Sequence, residues 1–378
     1  MKQATVEFRH VSKQYGPQGA VVDLSLLVPA GDICVLVGPS GCGKTTSLKM
    51  VNRLVEPTSG QVLIDGQDVM KVDLTTLRRG IGYVIQQIGL FPHQTIAENI
   101  ATVPRLLGWP NARIQQRTEE LLDLVGLDPS RVRHRYPAQL SGGERQRIGV
   151  ARAMAAEPPV MLMDEPFGAV DPIVRERLQN EFLRLHRTLG TTVLFVTHDI
   201  DEAIKMGTRV AVMQQGGHLA QYAPPTELLA HPASEFVSRF VGVDRGLKRL
   251  SLLRVTDVHL EPGVVAHVGE STQAARRRAL EAETEWVLLL DEREMPLGWI
   301  KADEIDSTET LTADHVDASS PLVNQETTLR DALSMLLTTL VQTAVVVDEH
   351  GRFMGVLTLD ELGLAFRSEA PERSAVPS

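Results

Sequence analysis

The sequence predicts an α/β protein whose core is a largely parallel β-sheet, followed by a smaller α+β region. Apolar runs of four or five residues, typical of buried parallel strands, predict the sheet, and either a glycine-rich loop or polar side chains follow each run directly. The runs are 33–37, 160–163 and 192–196. A change in sequence character after Gly242 indicates the second region. We therefore expect ligand-binding residues at the carboxyl ends of these strands.

Composition limits the class of protein. The 378 residues, 43% of them hydrophobic, are enough for two or three domains of about 150 residues each. A net charge of −10 argues against a general nucleic-acid binder. The two cysteines, Cys34 and Cys42, suit neither a disulfide framework nor a zinc site, which favours a reducing cytoplasm. The sequence lacks a signal-peptide pattern and an apolar run of about 20 residues, so we expect any membrane role to require docking to another subunit.

Two strands are predicted before the first buried run. Residues 6–11 alternate like an edge strand, and 21–28 form a second strand that ends before the turn at Pro29. Tyr15 lies between the two, and its spacing alone favours an aromatic side chain packed on the surface.

A glycine-rich loop follows the strand 33–37 and fits the pattern G-x-x-x-x-G-K-[ST]. Its glycines let the backbone turn and direct N–H groups at phosphate oxygens, and the following helix N-terminus adds partial positive charge. Lys44 can reach the β- and γ-phosphates, and Thr45 can ligate Mg²⁺. A chance glycine-rich turn is the alternative, but the flanking strand and helix are those that the mechanism requires. The residues expected to bind the nucleotide are Gly38, Pro39, Ser40, Gly41, Cys42, Gly43, Lys44, Thr45 and Thr46.

The next strand ends at Gln86, a polar residue that carries little information by itself. The loop 88–93 is more informative, since large apolar residues among Gly and Pro indicate a surface that packs on another protein. From 98–125 the pattern is helical, and we expect interruptions at Pro104 and Pro110.

The segment 140–147 opens another predicted helix. Ser141 and Glu144 form the S-x-x-E pattern of a capping box, which needs no functional explanation. A cap does not require Gly142 and Gly143, however, and paired glycines destabilise a helix start unless the backbone must approach a ligand. We therefore expect an anion-binding helix N-terminus here.

Two adjacent carboxylates, Asp164 and Glu165, follow the buried run 160–163. One can hold Mg²⁺ while the other orients or deprotonates water; an exposed acidic turn is the alternative. His198 follows the next buried run and should reach the same sheet edge, although a lone histidine is usually structural. Asp171 lies in the loop before the next predicted helix.

These motifs, in this order, resemble the ATP-binding subunits of ABC transporters over residues 6–242. The segment 140–147 resembles the family's signature sequence. The resemblance implies a P-loop NTPase fold of the ABC ATPase type for residues 1–242, with a mixed-sheet core and a helical subdomain that carries the signature. It also implies ATP and Mg²⁺ as cofactors.

The resemblance assigns roles within one subunit. Tyr15 would stack on adenine, against the interpretation from spacing alone. Asp164 would bind Mg²⁺ through water, Glu165 would be the general base, and His198 would contact the γ-phosphate. Gln86 would join the Mg²⁺ and water site to the membrane subunit.

It also implies partners. Ser141, Gly142 and Gly143 would face the γ-phosphate held by a second copy, and Asp171 would cross that interface, so a homodimer is expected. The loop Gln86–His93 would contact permease subunits at the cytoplasmic face of the inner membrane. An extracytoplasmic solute-binding protein would belong to the same complex, and no nucleic acid is expected.

Within the family, stretches 84–93, 171–173 and 225–229 resemble importers of glycine betaine, carnitine, choline or proline. Importers of methionine or polar amino acids share parts of these stretches and are the first alternative. The others are an ABC ATPase without a transport role and a nucleotide sensor in which hydrolysis is vestigial.

The C-terminal third resembles a pair of CBS modules, which often bind adenine nucleotides between them. Thr358 and Asp360 fit the ribose-contacting end, but Lys301 replaces the expected Ser or Thr of the first copy. A role in dimer contacts alone remains the alternative, as does a response to ionic strength through the acidic stretch 281–317 and the basic run 276–278. The expected segments are a degenerate first module at 243–308, a second module at 309–366 and a disordered tail at 367–378.

Overall fold

The computed structural model describes residues 3–85, 89–168, 171–303, 310–317 and 319–367. The chain divides into two compact units, residues 1–242 and 243–378. None of the helices within the described residues is long and apolar enough to cross a bilayer.

The first unit contains strands and helices in alternation after an initial pair of strands. The strands are β1 (Val6–Tyr15), β2 (Gln18–Val28), β3 (Ile33–Val37), β4 (Ser59–Ile64), β5 (Gln67–Asp68), β6 (Ile81–Val84), β7 (Val160–Asp164), β8 (Thr192–Thr197), β9 (Arg209–Gln214) and β10 (His218–Ala223). The helices are α1 (Lys44–Val51), α2 (Leu74–Arg79), α3 (Ile96–Leu106), α4 (Asn111–Leu124), α5 (Pro129–Val132), α6 (Gly142–Met154), α7 (Pro172–Leu189), α8 (Ile200–Met206), α9 (Pro225–Ala230) and α10 (Glu235–Val241).

A six-stranded sheet in the order β10-β9-β3-β8-β7-β6 forms the core. Neighbouring strands from β9 to β6 pair in parallel, and only β10 pairs antiparallel, with β9. All residues of β3, β7 and β8 are buried, which explains their continuous apolar sequences. The predicted α/β fold with a mixed sheet is confirmed, and β3, β7 and β8 end at one edge.

The predicted edge strand is wrong, because β1 lies inside a second sheet of order β2-β1-β4-β5. It pairs antiparallel with β2 on one side and β4 on the other. The alternation reflects burial of one face only: Val6, Phe8 and Val11 are buried, whereas their neighbours are partly or fully exposed. Antiparallel sheets with one face on the core produce this pattern at any position in the sheet.

The predicted interruption at Pro104 is also wrong. Helix α3 begins with a capping box between Thr95 and Glu98 and continues through Pro104 to Leu106. Proline lacks the N–H that would bond to the Ile100 carbonyl, but this loss falls in the last turn of the helix, where it is tolerated. At Pro110 the prediction is confirmed, since Pro110 directly precedes α4.

The second unit contains two similar three-stranded sheets, β11-β12-β13 and β14-β15-β16. In each, the first pair of strands is parallel and the second antiparallel, and a helix follows the first strand. Its elements are α11 (Arg245–Leu250), β11 (Val265–His267), α12 (Thr272–Glu281), β12 (Trp286–Leu290), β13 (Pro296–Lys301), β14 (Leu322–Asn324), α13 (Leu329–Leu336), β15 (Thr343–Val347), β16 (Phe353–Thr358) and α14 (Leu359–Arg367).

The two halves of this unit repeat in register. Gly298 pairs with Leu289 and Gly355 with Val346, with φ of 153° and 156°, and a register shift follows both pairs. Lys301 takes the same position in its sheet as Thr358 does in the other, each at the last pair of the ladder. The repeat supports a duplicated module in which Lys301 takes the position that Thr358 takes in the second copy.

One stretch of the chain packs differently from the predicted division. Residues 243–308 were expected to form the first module, but Leu250, Leu253 and Val255 lie in the hydrophobic core of the second, with Val323 and Leu329. Leu250, the last residue of α11, is 2% exposed, so the start of this unit completes the second module rather than the first. Of the predicted disordered tail 367–378, Arg367 is the last residue of α14, and 368–378 lie outside the described residues.

Candidate nucleotide-binding site

The glycine-rich loop between β3 and α1 has a backbone that only glycine fits at two positions. Gly38 has φ of 154° and Gly43 has φ of 93°. A Cβ on Gly38 would lie 2.1 Å from the Met213 carbonyl oxygen, and one on Gly43 would lie 2.2 Å from the Ala20 carbonyl oxygen. The loop is therefore held against its neighbours before any ligand binds.

Lys44 lies inside this loop and is 7% exposed. Its Nζ donates hydrogen bonds to the carbonyl oxygens of Gly38 at 2.7 Å and Pro39 at 3.0 Å. Helix α1 starts at Lys44, and its N-cap Gly43 provides no side-chain acceptor for the first N–H groups. Unpaired N–H groups at a helix start, together with a lysine, form a site for phosphate oxygens.

Thr45 and Asp164 meet beside the loop, although 119 residues separate them. The Thr45 hydroxyl donates to Asp164 Oδ1 at 2.9 Å. Burial raises the pKa of Asp164, while the hydrogen bond from Thr45 and the charge of Lys49 act against that shift. A hydroxyl and a carboxylate are hard oxygen ligands, so this pair fits Mg²⁺ whose remaining ligands are phosphate and water. Elsewhere in the described chain, no group of three or more His, Cys, Asp or Glu side chains could hold a metal.

Glu165 and His198 form the second pair at this edge. His198 Nδ1 lies 3.2 Å from Glu165 Oε1. Glu165 has φ of 44°, a left-handed conformation that is strained for a non-glycine residue, and its N–H donates to the Val196 carbonyl oxygen. Backbone strain of this kind fixes the direction of the carboxylate at the end of β7.

The signature segment caps α6 as predicted. Ser141 Oγ accepts from the Glu144 N–H at 3.2 Å, and Glu144 Oε2 accepts from the Ser141 N–H at 2.8 Å. A Cβ on Gly142 would meet nothing within 4 Å, and one on Gly143 would only touch Val174 at 3.5 Å. Contacts within the described residues therefore give no steric reason for either glycine.

Two further predicted site residues lie in the described part of the chain, Tyr15 and Asp171. Tyr15 is on the surface, 53% exposed, with Lys13 Nζ 5.1 Å from its ring centroid, and its role at adenine stays a prediction. Asp171 caps α7 by accepting from the Val174 N–H at 3.1 Å and is exposed. Gln86 lies outside the described residues.

Phe91 lies in the described part of the loop predicted to contact the permease and is 40% exposed. The Asn99 side chain fixes the backbone of Phe91. It accepts from the Phe91 N–H at 2.8 Å and donates to the Phe91 carbonyl oxygen at 3.1 Å. Arg152 donates to the Gly89 carbonyl oxygen at 2.7 Å. An exposed aromatic ring on a fixed backbone fits the predicted docking surface.

Sequence reasoning missed two buried links around the site. Gln146 on α6 donates from Nε2 to the Pro166 carbonyl oxygen, just after the two carboxylates. Gln179 on α7 donates to Glu202 on α8 at 3.0 Å. A polar residue inside a helical pattern gives no signal that it will be buried, so only the packing revealed these links.

Comparisons with known proteins agree with this geometry. The family model for ABC transporters matches residues 21–168. The osmoprotectant import ATP-binding protein OsmV of Salmonella typhimurium is 50% identical over 93% of this chain and 92% of its own. The glycine betaine/carnitine/choline transport ATP-binding protein OpuCA of Bacillus subtilis is 42% identical over 93% and 94%.

A solved structure is similar to the first unit. It is the dimeric post-hydrolysis state of the ATP-binding cassette MJ0796 bound to ADP and Pi, 33% identical, with a TM-score of 0.52. The match covers 58% of this chain and 98% of that one. The predicted resemblance is confirmed: the chain belongs to the family of ABC transporter ATP-binding proteins, which are ATPases coupled to transport.

Proposed function

We propose that this chain is the ATP-hydrolysing subunit of an importer for osmoprotectants such as glycine betaine, carnitine, choline or proline. The observation that supports the solute class is similarity along both units: a relative named for osmoprotectant import and one named for glycine betaine, carnitine and choline transport each align over 93% of the chain.

The site residues suggest how hydrolysis proceeds. Lys44 exchanges the carbonyl oxygens of its own loop for the β- and γ-phosphates, and the first N–H groups of α1 bind the same oxygens. Thr45 and Asp164 would hold Mg²⁺, which supplies charge neutralisation at the phosphates. Glu165 accepts a proton from the attacking water, and His198 contacts the γ-phosphate.

The signature segment is proposed to act on a second copy of the chain. Ser141 and Gly143 would contact the γ-phosphate bound by the partner, and Asp171 would cross the interface beside it. The exposed α6 N-terminus and the dimeric cassette that resembles the first unit support this arrangement. Closure of the dimer on ATP and its reopening after hydrolysis would then drive the permease through the loop Gln86–His93.

The importer is proposed to contain further subunits besides this chain. Permease subunits would hold it at the cytoplasmic face of the cell membrane, and an extracytoplasmic solute-binding protein would deliver the solute. Co-purification with the permease, followed by uptake assays in vesicles, tests the solute class. We expect ATP-dependent uptake of glycine betaine, carnitine or choline, and uptake of methionine or polar amino acids alone would reject the proposal.

We propose that the second unit is a CBS pair that regulates the ATPase. Its duplicated sheets support the pair, and the position of Lys301 disfavours a complete nucleotide site in the first module. Within the basic run, Arg278 pairs with Glu270 at 2.6 Å and Arg277 with Glu281 at 3.7 Å. Exposed contacts of this kind weaken as salt rises, because charges are screened over about 8 Å at physiological ionic strength.

Removing the second unit is therefore expected to abolish the response to ionic strength. A chain that ends at Gly242 should transport at a rate that varies less with salt than that of the full chain, in vesicles across a salt series. The transport rates of the same two chains are also compared with and without added adenine nucleotides. If both chains respond identically to salt and to nucleotides, the second unit is not the sensor.

A further inference from the structure

A buried carboxylate, Glu202 on α8, lies behind the catalytic edge and is 9% exposed. Gln179 on α7 donates to Glu202 Oε1 at 3.0 Å. Burial raises the pKa of Glu202, whereas the nearby Thr197 and Gln179 side chains and the charge of Arg175 lower it. One side chain therefore joins α7, α8 and the end of β8.

Glu202 does not have the usual role of an acid in the first turn of a helix. A glutamate at this position normally accepts from the N–H of the capping residue, here Asp199. That N–H donates instead to Thr197 Oγ1 at 3.1 Å, and the Asp199 carboxylate itself caps α8. An apolar side chain would fill the same space without the cost of burying a charge. Helix capping and core packing thus leave this carboxylate unexplained.

The elements that Glu202 joins carry the predicted catalytic and dimer residues. Helix α7 begins at the Asp171 cap, and its Val174 side chain lies beside Gly143 of the signature segment. Thr197 directly precedes His198. A cavity of about 40 Å³ is lined by Glu165, Arg175, His198 and Glu202, among others.

We propose that Glu202 is a positioning residue: through Gln179 and Thr197 it fixes α7 against the turn that carries His198. The inference rests on the proposed catalytic roles of Glu165 and His198. Misplacing a reacting group by about 1 Å can reduce a rate about 10²-fold, so loosening this turn should lower turnover without removing any group that touches ATP.

The test substitutes Glu202 alone and then exchanges Glu202 and Gln179, in both cases in the full chain. Glu202→Gln keeps the size but removes the charge and replaces one carboxylate oxygen by an NH₂ group. The hydrogen bond from Gln179 to an ionised acceptor therefore becomes at best a weaker bond between two neutral amides. We expect kcat to fall about tenfold or more, while KM for ATP, nucleotide affinity and Tm stay near wild type. The double variant E202Q/Q179E restores a carboxylate–amide pair and should recover most of the lost kcat. Asp201→Asn, an exposed acid on the same turn, is the control and should leave kcat unchanged.

Three results would overturn the inference: an unchanged kcat in E202Q, a double variant no more active than E202Q, or parallel losses of kcat, nucleotide affinity and Tm. Including E165Q in the same assay separates this inference from the proposed function. Normal hydrolysis by E165Q would reject the catalytic assignment. A normal E202Q beside an inactive E165Q would remove the positioning role alone.

Discussion

Replacing Glu165 by Gln is expected to leave ATP binding intact and to lower the hydrolysis rate about 10²–10⁴-fold, the usual contribution of a general base. The amide can still accept a hydrogen bond from His198, whose Nδ1 lies 3.2 Å from the carboxylate, so the local geometry should be retained. What the amide cannot do is accept a proton from water. Phosphate release under saturating ATP and the affinity for a fluorescent ATP analogue measure the two quantities separately.

A matched control is Glu176→Gln on α7, which removes an exposed carboxylate 3.8 Å from Lys205. Surface ion pairs contribute about 0–1 kcal/mol, so this variant should hydrolyse ATP at the wild-type rate. Near-normal hydrolysis by E165Q would remove Glu165 from the role of general base. A loss of ATP binding in E165Q would instead indicate a contribution to nucleotide affinity, contrary to the proposal.

Replacing Gly142 by Asp is expected to abolish ATP-driven dimerisation without reducing stability. A Cβ at this position meets nothing within 4 Å, and an acid in the first turn of a helix is favourable to the helix. In the proposed dimer, however, the new carboxylate would face the partner's γ-phosphate. Two like charges about 4 Å apart near a protein surface repel by about 4 kcal/mol, which is roughly a thousandfold in the dimer dissociation constant.

Light scattering with ATP in an E165Q background measures the dimer, and thermal unfolding measures stability. Gly142→Asn has the same size without the charge, so it should dimerise more readily than G142D. Ser141→Ala separates the cap from the interface, because loss of a helix cap alone costs about 0.5–2 kcal/mol of stability. An ATP-dependent dimer of G142D as tight as that of E165Q alone would reject the contact across the interface.

The phosphate-binding loop could be predicted from the sequence because its chemistry is local. Gly38, Gly43, Lys44 and Thr45 lie within one turn between a strand and a helix, and their spacing alone fixes which atoms reach a phosphate. The Ser141 cap was predictable for the same reason, since Ser141 and Glu144 interact across a single helical turn. Long apolar runs likewise predicted β3, β7 and β8, because a strand buried on both faces has no polar alternation.

The sequence predicted less well those features that depend on residues distant in the chain but close in space. The alternation in β1 correctly indicated one buried face, but this pattern does not reveal how many strands lie beside it. Pro104 carries the same local signal in the middle of a helix as in its last turn, and only the position of the helix end decides the outcome. The packing of Leu250, at the end of α11, in the second module depends on contacts with residues far along the chain, such as Val323 and Leu329. The local sequence does not show such contacts.

The sequence by itself determined the nucleotide-binding chemistry, the order of the motifs and the change of character after Gly242, because each depends on residues close together in the chain. Only the tertiary structure decided which side chains act as pairs. Thr45 meets Asp164 across 119 residues and Glu165 meets His198 across 33, since parallel strands bring distant segments to one sheet edge. Glu202 and Gln179 meet through the packing of helices α8 and α7, and neither residue carried a pattern that predicted a buried partner.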